Sequence, residues 1–280
     1  MTPPNLFTLA VQPVRPFESI PIIDISGLSG SPENKVRVAN EIRDACVHVG
    51  FFYVKNHGID ENVIQNAVKA SKQFFDLPIE DKVKLDIHKS SNFKGYTALL
   101  GENTNPENRG DLHEGFDLGP EFATGSDSDT SMAGINVWPS PDIAPGFREA
   151  MIGYYQAVVD LGLRLFPAFA LALNLNEDFF SDKVRNAAAI MRLLHYPPQT
   201  GIVDDRIQGI GAHTEIQCFT ILWQDDVPAL QVLNTSGQWV DATPIPGTFV
   251  INIGDQMARW TSNHHPFILD PNIPNHKTPR

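Results

Sequence analysis

The sequence predicts an α+β fold in which a helical amino-terminal region is followed by a β-sandwich or jelly-roll core. Three observations predict it. Apolar residues recur at helical spacing early in the chain and again from Phe147 to Leu165. From Ala187 onward the pattern changes to short β-rich runs separated by turn residues. Between them, residues 99–146 are rich in Gly, Pro, Asn, Asp and Ser, which marks irregular structure rather than a linker. A chain of 280 residues can bury a substantial core as one large domain, or as one domain with a small cap.

The run Ile20-Pro21-Ile22-Ile23-Asp24-Ile25 is β-branched and reads as a strand closed by Ser26 and Gly27. Ser31-Pro32-Glu33 supplies an N-cap, a proline at the first helical position and an early acid. Val36, Ala39, Ile42, Cys46 and Val49 carry the apolar face of that helix, and Gly50 stops it. Phe51 to Val54 reads as a strand ended by the turn Asn56-His57-Gly58. A second amphipathic helix carries Val63, Ile64, Ala67, Val68, Phe74 and Phe75, and Leu77-Pro78-Ile79-Glu80 opens a short third. Gly125 to Asp129 reads as a surface loop. The helix from Phe147 is expected to kink at Pro167, and Asn176 to act as an N-cap after a break at Asn174. Later strands are expected at Ala189–Tyr196, Gln217–Trp223, Ala229–Leu233, Trp239–Asp241 and Thr248–Ile253.

Composition narrows the function. With 33 acidic and 21 basic residues the net charge is −12, which opposes a nucleic-acid partner whose phosphates need Lys and Arg. Cys46 and Cys218 lie in apolar segments and read as small buried hydrophobes rather than a disulfide. Met1 to Pro16 lacks the basic-then-apolar pattern of a secretory signal, and the apolar run Leu165 to Leu173 is too short for a bilayer. The expectation is a cytoplasmic monomer acting on a small molecule, with neither nucleic acid nor membrane as partner.

His213-x-Glu215 is the candidate metal motif. On a strand, residues i and i+2 share a face, so an imidazole and a carboxylate can point to one ion. Two imidazoles and one carboxylate form the facial triad of non-haem Fe(II) oxygenases, which leaves three positions open. Alone the pair is a weak signal, because a chain with nine histidines and 33 acids produces such matches by chance. Its surroundings strengthen it. They comprise Arg192-Leu193-Leu194-His195-Tyr196-Pro197-Pro198, Ala229-Leu230-Gln231-Val232, Gly237-Gln238-Trp239-Val240, the run from Ile245 to Asp255, and Arg259-Trp260-Thr261. In the amino-terminal half, Ile20 to Asp24, Gly50 to Gly58 and Phe75-Asp76-Leu77-Pro78 agree independently.

Over about residues 19–261 these segments resemble the non-haem Fe(II), 2-oxoglutarate-dependent oxygenases of the isopenicillin-N-synthase-like family. The resemblance implies a double-stranded β-helix (jelly roll) core with a helical amino-terminal region. It divides the chain into an extension over 1–18, a helical region over 19–125, a jelly-roll oxygenase core over 126–261 and a divergent irregular tail over 262–280. It makes His213 and Glu215 the first two iron ligands, Glu215 standing where the family usually has Asp. Tyr196 takes the place of a tyrosine that helps hold the 2-oxoglutarate carboxylate, and Leu194 replaces an asparagine often found two residues earlier. Phe93, Tyr96, Leu112 and His113 fall near the family's substrate mouth, while His57 belongs to a structural turn. Fe(II), 2-oxoglutarate as co-substrate and O2 are the implied cofactors, with succinate and CO2 formed as a substrate C–H is hydroxylated or desaturated.

The expected second iron histidine, and the Arg-x-Ser that grips 2-oxoglutarate, do not follow Thr261. Asp270 stands at the histidine's register position, and His264 and His265 come five or six residues too early for a strand rising about 3.3 Å per residue. Pro266, Pro271, Pro274 and Pro279 oppose a strand there. The expectation is an incomplete core lacking its last strands, through a retained intron at Ser262-Asn263 or a degenerate paralogue. The rival function is a catalytically inactive form, and a cupin-like small-molecule binder is a weaker alternative.

Overall fold

The computed structural model describes residues 16–105, 109–121, 134–185, 189–198 and 208–261. In chain order its principal elements are β1 (Ile22–Asp24), α1 (Pro32–His48), β2 (Phe51–Lys55), α2 (Glu61–Phe75), α3 (Ile79–Lys82), β3 (Gly95–Thr97), β4 (Glu114–Leu118) and α4 (Phe147–Ala172). After these come β5 (Met191–His195), β6 (Phe219–Leu222), β7 (Gln231–Leu233), β8 (Trp239–Asp241), β9 (Thr248–Ile253) and α5 (Asp255–Trp260). The chain divides into two compact units that interleave. Unit 1 draws on Met1–Gly58, Leu161–Asp182 and His213–Arg280, and unit 2 on Ile59–Asp160 and Lys183–Ala212. Each unit draws on separated segments because the sheets pair strands far apart in sequence.

Unit 1 is built on a four-stranded sheet ordered β1-β2-β9-β6, with a separate β7-β8 ladder. β1 runs parallel to β2, and β9 pairs antiparallel with both β2 and β6. Phe52, Tyr53 and Val54 on β2 and Phe249, Val250 and Ile251 on β9 are buried, which explains the unbroken apolar runs in both strands. α1 begins as its sequence dictates: the Ser31 hydroxyl accepts from the Asn34 amide, with Pro32 at the first helical position. It ends at Gly50, which takes a φ of 80° while its amide donates to the Ala45 carbonyl. His57 is buried in the turn between Asn56 (φ 57°) and Gly58 (φ 79°), its ring edge-on to Phe249.

α4 runs five residues past Pro167, which does not end it. Instead it terminates where Asn174 takes a left-handed φ of 58° and the Leu175 amide returns to the Ala170 carbonyl. Buried Arg43 completes the cap, bonding the carbonyls of Leu171 and Ala172 and the side chain of Asn174. Asn176 starts a turn, its carbonyl accepting from the Phe179 amide, rather than capping a helix. By length and composition α4 could cross a membrane. Yet Met151 is buried within unit 2, and Leu161, Leu165 and Phe169 within unit 1, as in a core helix.

Unit 2 holds an antiparallel sheet ordered β3-β4-β5. One face packs Tyr96, Phe116 and Leu118, with Met191 and Leu193, against Phe74, Phe75 and Ala67 of α2 and Phe147 and Met151 of α4. β4 lies inside the stretch expected to be irregular. Its five residues are all buried although two are acids, so the apolar alternation that announces a strand is absent from its sequence. The tail over 262–280, on which the expected loss of the last core strands turns, and the loop Gly125 to Asp129 lie outside the described residues. Both cysteines are free thiols, Cys46 fully buried.

Candidate functional site

His213 and Glu215 lie in unit 1, shortly ahead of β6. They belong to no strand, and so depart from the expected strand geometry. The backbone around them has another use. The carbonyls of Glu215, Ile216, Gln217 and Cys218 accept from the amides of Gly254, Asp255 and Gln256, where α5 begins. These bonds satisfy amides that a helix start leaves orphaned, at the expense of a ladder partner for residues 215–218. The Thr214 hydroxyl adds a 3.2 Å bond to Asp255 Oδ2. Gly254 is required by the close approach, since a Cβ there would collide with the Gln217 carbonyl oxygen and stand 2.8 Å from that of Glu215.

The loop so formed brings the two side chains together. His213 Nε2 and Glu215 Oε1 are 3.7 Å apart, with side chains 35% and 32% exposed. Neighbouring ligands of one first-row ion, each at about 2.0–2.2 Å, stand about 3 Å apart. The pair therefore fits two adjacent positions of an iron centre after closing by less than about 1 Å. Among the described residues, no group of three His, Cys, Asp or Glu side chains is placed to hold a metal. His264, His265 and Asp270 lie outside the described residues.

Tyr196, the residue expected at the co-substrate, lies in unit 2 just after β5, its residue 45% exposed. Burial of its ring and the negative charges of Asp111 and Glu102 outweigh Arg192 and push the phenol up to about 12. It is therefore a hydrogen-bond donor throughout the neutral range. Its ring meets that of His113 at 5.5 Å between centroids, and the backbone of Gly209 lies against it. Of the residues expected near substrate, Phe93 is 71% exposed with a left-handed φ of 55°, and Leu112 is half-buried. Tyr96 is buried, its hydroxyl 2.5 Å from Glu114 Oε2. His113 is 2% exposed, with Nδ1 2.8 Å from the Gly209 carbonyl and Nε2 3.2 Å from Glu102 Oε2.

Two ionic clusters in unit 2 escape the sequence reading. In one, Arg192 bonds Glu102 at 2.9 and 3.0 Å and Asp117 at 2.7 and 2.8 Å, and its pairing with these carboxylates raises the guanidinium further. Burial outweighs Arg192 at Asp117 and leaves that carboxyl raised. In the other, Glu114 accepts from Lys82 Nζ at 2.7 Å, Tyr96 at 2.5 Å and His195 Nδ1 at 2.8 Å. Burial alone would raise the Glu114 carboxyl, but these three donors hold it below the ordinary range. The available signal is Asp111-Leu112-His113-Glu114-Gly115-Phe116-Asp117, where four ionisable residues share seven positions.

The chain is similar to known proteins over most of its length. Residues 20–141 match the family described as non-haem dioxygenase in morphine synthesis N-terminal, and residues 187–277 match the 2OG-Fe(II) oxygenase superfamily. The second match runs on beyond Thr261, where the motif resemblance stops. A 2-oxoglutarate-Fe(II) type oxidoreductase of Emericella nidulans is 36% identical over 255 residues, covering 88% of this chain and 72% of that protein. A homoarginine-6-hydroxylase of Oryza sativa subsp. japonica is 35% identical over 260 residues, covering 88% and 78%. A full-length Neurospora crassa protein, whose crystal structure is a complex with alpha-KG and thymine, is similar at a TM-score of 0.78 with 30% identity, covering 88% of this chain and 77% of that one.

Proposed function

The chain belongs to the 2OG-Fe(II) oxygenase superfamily, and from that premise we propose that it hydroxylates or desaturates a small organic metabolite at an iron held in part by His213 and Glu215. By family and structural likeness it is a 2-oxoglutarate-dependent dioxygenase that uses Fe(II) and 2-oxoglutarate and acts on small metabolites. Iron held by these residues would supply C–H oxidation with O2 as the oxidant, 2-oxoglutarate giving two electrons and leaving as succinate and CO2 while the substrate gives the other two. In this reading His213 contributes a neutral imidazole nitrogen and Glu215 a carboxylate oxygen. By the motif resemblance alone, Tyr196 would donate a hydrogen bond to a co-substrate carboxylate, and Phe93 and Leu112 would offer apolar surface to substrate.

The observation that carries the proposal is the convergence of His213 Nε2 and Glu215 Oε1 on a loop buttressed by the start of α5. A second reading, a catalytically inactive form, is supported by Asp270 standing at the register position where a histidine is expected. One experiment serves both. Anaerobic Fe(II) titration should give saturable binding to the wild type and, for His213→Ala, a constant weaker by about tenfold or more. Equal affinity in His213→Ala would sink the site assignment. With 2-oxoglutarate and O2, succinate formation at roughly 1 per second or faster would eliminate the inactive reading, and iron binding without succinate would favour it.

A further inference from the structure

His113 is buried between two groups that have no proton to give. Its Nδ1 faces the Gly209 carbonyl at 2.8 Å, and its Nε2 faces a Glu102 carboxylate oxygen at 3.2 Å. A neutral imidazole carries one N–H, so it can satisfy only one of them and turns a lone pair on the other. The doubly protonated ring satisfies both. Glu102 is itself fixed by the bidentate Arg192, whose other bonds go to Asp117 on β4. The far end of this chain of charges is the backbone of Gln208 to Gly211.

That short segment is tied to unit 2 at further points. The Leu112 amide donates to the Gln208 carbonyl at 2.7 Å, and the Gly211 amide to Asp111 Oδ1 at 3.0 Å. Asp111 is held in turn by the amide and hydroxyl of Thr104. Gly209 and Gly211 permit the approach: a Cβ at either would stand 3.3 Å from the Tyr196 ring or 3.1 Å from Asn105. His113 is thus a titratable ring in a clasp of otherwise permanent bonds, on a segment that enters His213 through Ala212.

We propose that His113 acts as a positioning residue: as an imidazolium it ties the Gln208–Gly211 segment that leads into His213-x-Glu215 to Glu102, and when deprotonated it gives up one of its two bonds and loosens that segment. The part concerning His213 rests on the function proposed above, whereas the clasp itself does not. The charged and titratable groups acting on His113 are Glu102 and Asp111 from the β3–β4 connection, Asp117 from β4 and Tyr196 just after β5, with Arg192 of β5 bound to the far side of Glu102. Burial lowers the imidazole, but the bond to Glu102, the Gly209 carbonyl and the charges of Glu102 and Asp111 outweigh it, leaving the group raised. With the folded value raised, the two-bond clasp is fully formed below the ordinary histidine value and is reduced to a single bond as pH rises through the folded one.

Hydrogen exchange with mass spectrometry, read on a peptide spanning 208–211 across a pH series and corrected for intrinsic exchange, tests the clasp. In the wild type, protection should fall about tenfold for each pH unit by which the folded value exceeds the ordinary one. His113→Gln retains donors but cannot titrate, so its corrected protection should be flat over the same range, and His113→Lys should restore part of the acid-side protection through Glu102. Identical pH profiles in wild type and His113→Gln would overturn the proposal. Anaerobic Fe(II) titration over the same series should weaken in parallel for the wild type only. Parallel weakening in His113→Gln would overturn the positioning role, and a wild type that binds no iron but keeps the exchange profile would overturn the metal reading and leave the clasp standing.

Discussion

At the scale of single residues, the candidate iron pair depends on a glycine that carries no chemistry. Gly254 has an ordinary backbone conformation, so its requirement is steric: the carbonyls of Glu215 and Gln217 occupy the space a side chain would need. Gly254→Ala should destabilise the protein by about 1–3 kcal/mol, as overpacking does, and loosen the loop carrying His213 and Glu215. Thermal unfolding together with Fe(II) titration checks this, and a variant with unchanged Tm and unchanged affinity would refute it. The pair could be proposed from the sequence because Gly254-Asp255 and His213-x-Glu215 both stand in recognisable motifs. The backbone contact between those motifs was not legible, because a bond from the Asp255 amide to the Glu215 carbonyl leaves no side-chain trace.

Among elements, β4 was the hardest to read and has the most to lose. Strand patterns are recognised by polar residues facing water, and β4 instead buries Glu114 and Asp117 beside donors brought from elsewhere in unit 2. β2 and β9, with apolar residues on both faces, were legible for the opposite reason. Lys82→Met would leave the Glu114 carboxylate without its ammonium partner in a buried place and should cost about 3–5 kcal/mol. The pH dependence has a definite sign. Because the folded Glu114 carboxyl is depressed, its contribution is present above the unfolded carboxylate range and is lost as pH falls through the folded value. Denaturant unfolding of wild type and Lys82→Met at pH 7 and pH 4 should show a gap that narrows in acid. A gap that stays constant would show that the ammonium, not the charge pair, is what the strand needs.

For the whole molecule, the class of fold followed from the change of period near Ala187, and the order of helices and strands largely matches it. The strand pairing did not follow, since no local pattern reports that β2 pairs with β9 rather than with a nearer strand. That pairing has a consequence for how the protein is made. A ribosome releases Phe51-Phe52-Tyr53-Val54 early, but β9 appears roughly 190 residues later, about 10–40 s at ordinary elongation rates. The segments of unit 2 end at Ala212, so that unit is complete in the nascent chain while the central sheet of unit 1 still lacks two strands. Translation-arrest force measurements on chains of increasing length should therefore register unit 2 first and unit 1 only after β9 has cleared the exit tunnel. A single late event would show that neither unit holds alone. Until that moment an apolar strand waits beside β1 for a partner not yet translated, a natural substrate for the chaperones that attend emerging chains.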